Sequence, residues 1–199
     1  MRSYWTEEWG LSRLPEVEEL RQAMLSAALG EFLGSSVVAD ARIGWCDPDE
    51  IPEPYRGLLV HDGDMTSTLE RFHRDVLTLE IMRVGQAEGN YLREVVLRKK
   101  GTGEAVEYGA IEVLLGAFSA SMRVAILDGG QPLGGLLNST GLVYGSEPIG
   151  FFGLTGSGIG DVFSETPGGG VLFGRYNRLV DENGVCLARI IEVLPCVSG

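Results

Sequence analysis

Apolar and polar residues alternate most clearly in the run Tyr91-Leu92-Arg93-Glu94-Val95-Val96-Leu97. A period of two predicts a β-strand, with Tyr91, Arg93, Val95 and Leu97 on one face and Leu92, Glu94 and Val96 on the other. The same period predicts strands over 76–84, 91–98, 105–115, 170–180 and 185–194. Hairpin-like turns fall at 85–89 and at Asp181-Glu182-Asn183-Gly184, where the Asn-Gly pair favours a tight β-turn. A helical period governs 14–32, where Leu20, Met24, Ala27, Ala28 and Phe32 recur at helical spacing. Pro15 suits its first turn, and Glu16, Glu18 and Glu19 suit its positive end. A second helix is predicted from Met65 to Arg74, capped by Asp64 or Thr66, with Leu69 and Phe72 or His73 inward.

Between these elements the signals weaken. Residues 46–56 hold three prolines and four acids and read as an exposed connection. Residues 118–127 fit a short helix, and another is expected to begin at Pro132-Leu133-Gly134. The stretch 129–174 contains 15 glycines interspersed with Phe151, Phe152, Leu154, Ile159, Val162 and Phe163. It reads as a flap or close backbone turns over a pocket, with a surface excursion as the alternative. Hairpins with helices between them predict an α+β domain whose mostly antiparallel sheet is covered on one face. Residues 1–54 are read as an N-terminal helical extension packed on a domain spanning 55–199.

Composition narrows the function. The chain has 199 residues, 44% of them apolar, which is ample for a hydrophobic core. Its formal charge of −12 is spread along the chain and opposes binding to nucleic acid or to an anionic membrane surface. A small anion is still admissible in a pocket with local arginines. No apolar stretch approaches the roughly 18 residues of a membrane span, and Met1 to Gly10 lacks an apolar signal core. Cys46, Cys186 and Cys196 form no ligand spacing and leave one unpaired, so free thiols and a cytoplasmic setting are expected. His61 and His73 have no cysteine near them, and the glycines of 153–160 lack a P-loop lysine, so neither metal nor nucleotide cofactor is expected. The chain is expected to be a monomer or homodimer.

Arg93 is the leading candidate for chemistry. It shares the apolar face of its strand, and a buried guanidinium needs an anionic partner, internal or bound. Glu192, enclosed by Ile190, Ile191, Val193 and Leu194, is a candidate proton donor, or else the internal partner of Arg93. Arg123 and Arg178 are further candidate cations. Glu107 and Glu112 fall on opposite strand faces, so at most one looks into a pocket, with exposure the default for either. His61 is expected at a pocket rim or ordering the Asp62-Gly63-Asp64 turn.

The order of motifs adds a resemblance. His61-Asp62-Gly63-Asp64-Met65-Thr66 through Leu69-Glu70, Tyr91-Leu92-Arg93-Glu94-Val95, Val106-Glu107-Tyr108-Gly109-Ala110-Ile111, Pro132-Leu133-Gly134, and Gly174-Arg175-Tyr176 through Glu192-Val193-Leu194-Pro195 follow one another over residues 55–196. The set resembles the chorismate pyruvate-lyase family, more closely its branch long treated as being of unknown function. The resemblance implies a six-stranded antiparallel sheet with helices on one side, related to the ligand-binding domain of some bacterial transcription regulators. It implies a small aromatic or cyclohexadienyl carboxylate held behind helical flaps, and elimination from chorismate to 4-hydroxybenzoate and pyruvate without metal or cofactor. In that reading Arg93 holds a carboxylate and Glu192 acts as acid or base. The backbone at Leu133 and Gly134 binds the hydroxyl end, and Leu133, Leu136, Phe151 and Phe152 close above the ring. Gly109 departs from the pattern, since the lyases carry a second arginine there; Arg123 or Arg178 would have to replace it. The alternative function is a non-catalytic binding protein for a small aromatic carboxylate.

Overall fold

The structure, a computed structural model, describes residues 27–36, 39, 41–155, 158–163 and 170–196. The helix predicted from Leu14 lies outside the described residues as far as residue 26, and its end is α1, Ala27–Leu33. Strand β1 (Arg42–Cys46), α2 (Tyr55–Leu59), α3 (Met65–His73), β2 (Leu77–Ala87), β3 (Asn90–Lys99) and β4 (Ala105–Val113) follow. After them come α4 (Ala120–Asp128), α5 (Leu133–Thr140), β5 (Tyr144–Thr155), α6 (Gly158–Val162), β6 (Leu172–Asp181) and β7 (Cys186–Leu194). The seven strands form one sheet in the order β1-β5-β6-β7-β4-β3-β2, and each neighbouring pair is antiparallel. The fold is α+β. Of the expected extension over 1–54, the described part supplies α1 and an edge strand of this sheet.

The period-two alternation sorts the side chains. On one face Leu92, Val96, Tyr108, Phe152, Tyr176 and Val193 pack with Leu29 and Leu33 of α1 and with Ile159 of α6. Glu94 is buried on that face because Arg83 reaches it at 2.7 Å and the Tyr108 hydroxyl donates to it. Arg83 also stacks 3.9 Å from the Phe32 ring and donates to the Phe32 carbonyl, which fastens the end of α1 to β2. The opposite face carries two apolar groups. Leu97, Phe173 and Leu194 pack with Leu58, Leu59, Met65 and Leu69 of α2 and α3. Tyr91, Val113, Leu179 and Leu187 pack with Ile126, Leu136 and Leu137 of α4 and α5. The gap between those two groups is where the buried polar residues of this face lie.

The sequence reading predicts five strands and misses β1 and β5, so the sheet has seven, one more than the six that the resemblance implied. β5 runs through the glycine-rich stretch, where glycine stands in for the expected side chains. A Cβ at Gly150 would lie 2.6 Å from the Trp45 ring of β1, so the neighbouring strand's indole takes that place. The connection at 46–56 is more ordered than expected, with a short 3-10 turn at Pro48–Glu50 and buried Ile51 and Tyr55. The α3 helix starts as predicted, Asp64 accepting from the Ser67 amide at 2.8 Å. No described helix is long and apolar enough to cross a membrane.

Gly174 is the tightest point of the sheet. A Cβ there would lie 2.5 Å from the Glu192 carbonyl oxygen and 2.6 Å from the Phe152 ring. The ring can move, but the carbonyl belongs to the β6–β7 ladder. Gly174→Ala is therefore expected to destabilise the fold by about 1–3 kcal/mol. Urea unfolding should show a lowered midpoint with an unchanged slope.

Candidate functional site

Register places the polar residues of the gap in rows across four strands. Arg93, Ile111, Ile190 and Asn177 lie side by side on β3, β4, β7 and β6. The next row is Val95, Gly109, Glu192 and Arg175, and Leu97 pairs with Glu107 in the row beyond. These side chains floor a cavity of about 630 Å³, its mouth included. Its walls are Asp64, Met65 and Thr66 at the start of α3, Pro132, Leu133 and Gly134 at the start of α5, and Tyr144 and Ser146 of β5.

Arg175 is almost fully enclosed, at 1% exposure, and is thoroughly bonded. Its Nε donates to Glu192, and Nη1 donates to the carbonyls of Leu59 at 3.1 Å and His61 at 3.0 Å. The end of α2 and the segment after it are thereby fastened to β6. His61 completes the corner by bonding the Leu58 carbonyl through Nε2 at 2.8 Å. Burial and the Arg175 charge lower the pKa of His61 from its ordinary value. Its role is structural, at the edge of the turn it was expected to order.

Arg93 is 4% exposed and stands differently. Nη2 donates to the Gln131 carbonyl at 3.3 Å, while Nε has no hydrogen-bond partner. Among the described residues no carboxylate forms an ion pair with it. Burial lowers its pKa, with Tyr91 opposing, yet a guanidinium remains charged at neutral pH. Gln131 lies just before α5, whose N-cap, Pro132, offers no side-chain acceptor to the first turn. Arg93 and the positive end of the α5 dipole thus meet at one corner of the cavity, a favourable place for an anion.

Glu107 is buried beside this arrangement; among the described residues no cation pairs with it, and its Oε2 has no hydrogen-bond partner. Burial raises its pKa well above the ordinary value, and the Glu192 charge adds to the effect while Arg175 opposes it. With Glu192 already on Arg175, the protonated form of Glu107 is favoured over its ordinary balance. Asn177 donates from Nδ2 to Ser146 Oγ at 2.8 Å, leaving Oδ1 without a partner.

Of the residues singled out from sequence, Arg93, Glu192, Leu133 and Gly134 meet around this cavity. Arg178 does not, because it lies three residues from Arg175 and so points to the other face, where it pairs with Glu147 at 2.7 Å. Arg123 is an exposed residue of α4 that donates to the Phe118 carbonyl at 2.9 Å. Neither replaces the arginine missing at Gly109. Phe152 packs on the opposite face of the sheet and Phe151 in the α2–α3 core, so they do not close above a ligand. Both Glu107 and Glu112 are buried, against expectation, Glu112 bonding Arg189 at 2.9 Å and Asn90 at 2.8 Å. Arg175, Asn177, Tyr144 and Ser146 were not recognised as candidates. For the first two the alternation of β6 was the available signal.

No family model matches the chain, and no curated protein matches it. Solved structures do. One, described as the possible transcriptional regulator YydK of Bacillus subtilis, is 12% identical, with 98% of this chain and 94% of that one covered and a TM-score of 0.48. The ligand-binding domain described as that of a GntR-family transcriptional regulator of Bordetella bronchiseptica is 10% identical, covering 62% of this chain and 92% of its own, at a TM-score of 0.43. A transcriptional regulator of Streptomyces coelicolor is 12% identical over 59% of this chain and 85% of its own, at a TM-score of 0.38. What those descriptions say holds for those proteins.

The lyase expectation is corrected here. These structures are described as regulators or a regulator's ligand-binding domain, not as chorismate pyruvate-lyases. Glu192, needed as the proton donor at the breaking ether, is instead the counter-ion of Arg175. Release of pyruvate and 4-hydroxybenzoate from chorismate, and an enzymatic role built on it, are accordingly withdrawn.

The neutral Glu107 gives a pH test. Its pKa is raised in the folded protein, so the folded state binds more protons than the unfolded chain once the pH exceeds the ordinary carboxylate value of 4.5. Stability held below that value is lost as pH rises toward the folded-state pKa. Glu107→Gln removes this loss. The variant should be the more stable at neutral pH, and the difference should shrink as pH falls below about 4. Thermal melts of both proteins across pH check the convergence; a gap of constant size would contradict a neutral Glu107.

Proposed function

We propose that this chain is a non-catalytic receptor for a small organic anion, held in the cavity between the sheet and the starts of α3 and α5. The observation that carries this reading is Arg93, a buried cation with an unbonded Nε and no carboxylate partner among the described residues. Burying an unpaired charge costs several kcal/mol, roughly, so such a group calls for an anion from outside. The start of α5 supplies a second electropositive element at the same corner. The remaining lining includes Met65, Val95, Leu97, Ile111, Leu133 and Ile190, apolar walls for the body of a small acid. An aromatic carboxylate, the narrower expectation from sequence, is one ligand that such walls accept.

The test is ligand-induced stabilisation. Among small carboxylates such as benzoate and cyclohexanecarboxylate, some are expected to raise the melting temperature of the wild-type protein, as binding to the folded state requires. Arg93→Ala should remove that effect while keeping the fold, a loss of about 2–5 kcal/mol of binding. Arg93→Lys keeps the charge but not the planar fork and should recover only part of it. If Arg93→Ala instead unfolds the protein, and no acid alters wild-type melting, Arg93 is a structural residue and the receptor reading fails.

A further inference from the structure

Among the described residues, four buried side-chain polar atoms lack a hydrogen-bond partner: Trp45 Nε1, Arg93 Nε, Glu107 Oε2 and Asn177 Oδ1. Three of the four belong to residues that line the cavity. Folded proteins leave few such atoms, because each loses water without replacing it. The three belong to side chains that line one cavity, where a seated group and a side-chain rotation together can satisfy them. Their grouping reads better as a set of sockets than as three separate defects.

The sockets have a definite layout. Arg93 and Asn177 stand at opposite ends of one row, with Ile111 and Ile190 between them. Three strand spacings separate their backbones, about 14 Å. Glu107 lies four residues along β4 from Ile111, about 13 Å away. One end of the floor therefore presents a donor-only cation. The other positions present a carboxamide and a carboxyl; Ile111 and Ile190 lie between the cation and the carboxamide, and the row of Gly109 with the Glu192–Arg175 pair lies between these and the carboxyl.

We propose, building on the receptor reading above, that the ligand is a small hydroxylated carboxylic acid. Its carboxylate meets Arg93, one hydroxyl meets Asn177 across the floor of Ile111 and Ile190, and another meets Glu107 over Gly109. A hydroxyl is the group that suits both polar sockets. Ser146 Oγ can donate or accept, so the Asn177 carboxamide can turn either its oxygen or its nitrogen to the cavity. A hydroxyl answers both orientations, whereas an ammonium only donates and a ketone only accepts. The Glu107 carboxyl likewise donates or accepts while it carries its proton.

Calorimetric titration with matched acids separates this inference from the reading beneath it. The pairs are protocatechuate against benzoate, and quinate against cyclohexanecarboxylate. In at least one pair the hydroxylated acid is expected to bind about tenfold tighter to the wild-type protein, the gain of a hydrogen bond or two. Asn177→Leu should bring that ratio toward one, as should Glu107→Leu where the first variant does not fold. Arg93→Ala should weaken both members of the pair. Equal affinities within both pairs, with Arg93→Ala still weakening them, overturn the hydroxylated-acid inference and leave the receptor standing. A preference that survives both leucine variants also overturns it. Failure of all four acids to bind, or binding indifferent to Arg93→Ala, overturns both readings.

Discussion

Arg175 cannot shed its charge inside the protein, so the fold has to bring partners to it, and they come from separate elements. Glu192 reaches it from the adjacent strand β7, and the carbonyls of Leu59 and His61 reach it from α2 and the segment beyond. Each bond fixes something else. The carbonyls hold the α2–α3 layer against β6, while Glu192 ties β6 to β7 through side chains as well as backbone. Removing Glu192 alone would leave a buried cation uncompensated, the situation in which broken pairs are most costly. The pairing also decides the chemistry of its neighbours. It occupies one of the carboxylates that line the cavity with Arg93, and it limits the help that Arg175 can give Glu107. An unpaired cation and a carboxyl with a raised pKa share the same floor, burial raising the latter first and the Glu192 charge adding to it.

Alternation along β3 made Arg93 legible, since an arginine in phase with Tyr91, Val95 and Leu97 has to face the interior. The same rule was available on β6. Arg175, Asn177 and Leu179 share the cavity face, and Arg178 necessarily points away, yet the exposed arginine was the one selected. The signal was present and misapplied. Glu107 is another matter, because its raised pKa comes first from burial and then from the Glu192 charge across the sheet. No local pattern carries this. β5 was missed because close approach replaces side chains with glycine, as Gly150 shows against Trp45 of β1. A glycine that serves strand packing cannot be told from a loop glycine without its neighbour. The sheet, its antiparallel order and the helices walling the cavity were readable; the pairing of charges within it was not.

Gly109 bears on the size and charge of what the cavity holds. It sits in the row of Val95, Glu192 and Arg175, in the middle of the floor. A Cβ there would approach Val95 Cγ2 to 3.1 Å and Glu107 Oε1 to 3.6 Å, so a long side chain would have to rise into the space above. With glycine that space stays open. A second guanidinium is nevertheless close by in the same row, from Arg175, but Glu192 already neutralises it. Among the described residues lining the cavity, Arg93 is thus the cation that lacks a counter-ion, and one carboxylate satisfies it. A second carboxylate would meet a filled ion pair, a carboxyl that resists ionisation and a carboxamide, none of which compensates its desolvation. Under the receptor reading, the charge balance of the floor favours a monoanion whose remaining polar groups are neutral. The overall charge of −12 does not oppose this, because a small ligand answers to the groups within contact and to a screened remainder.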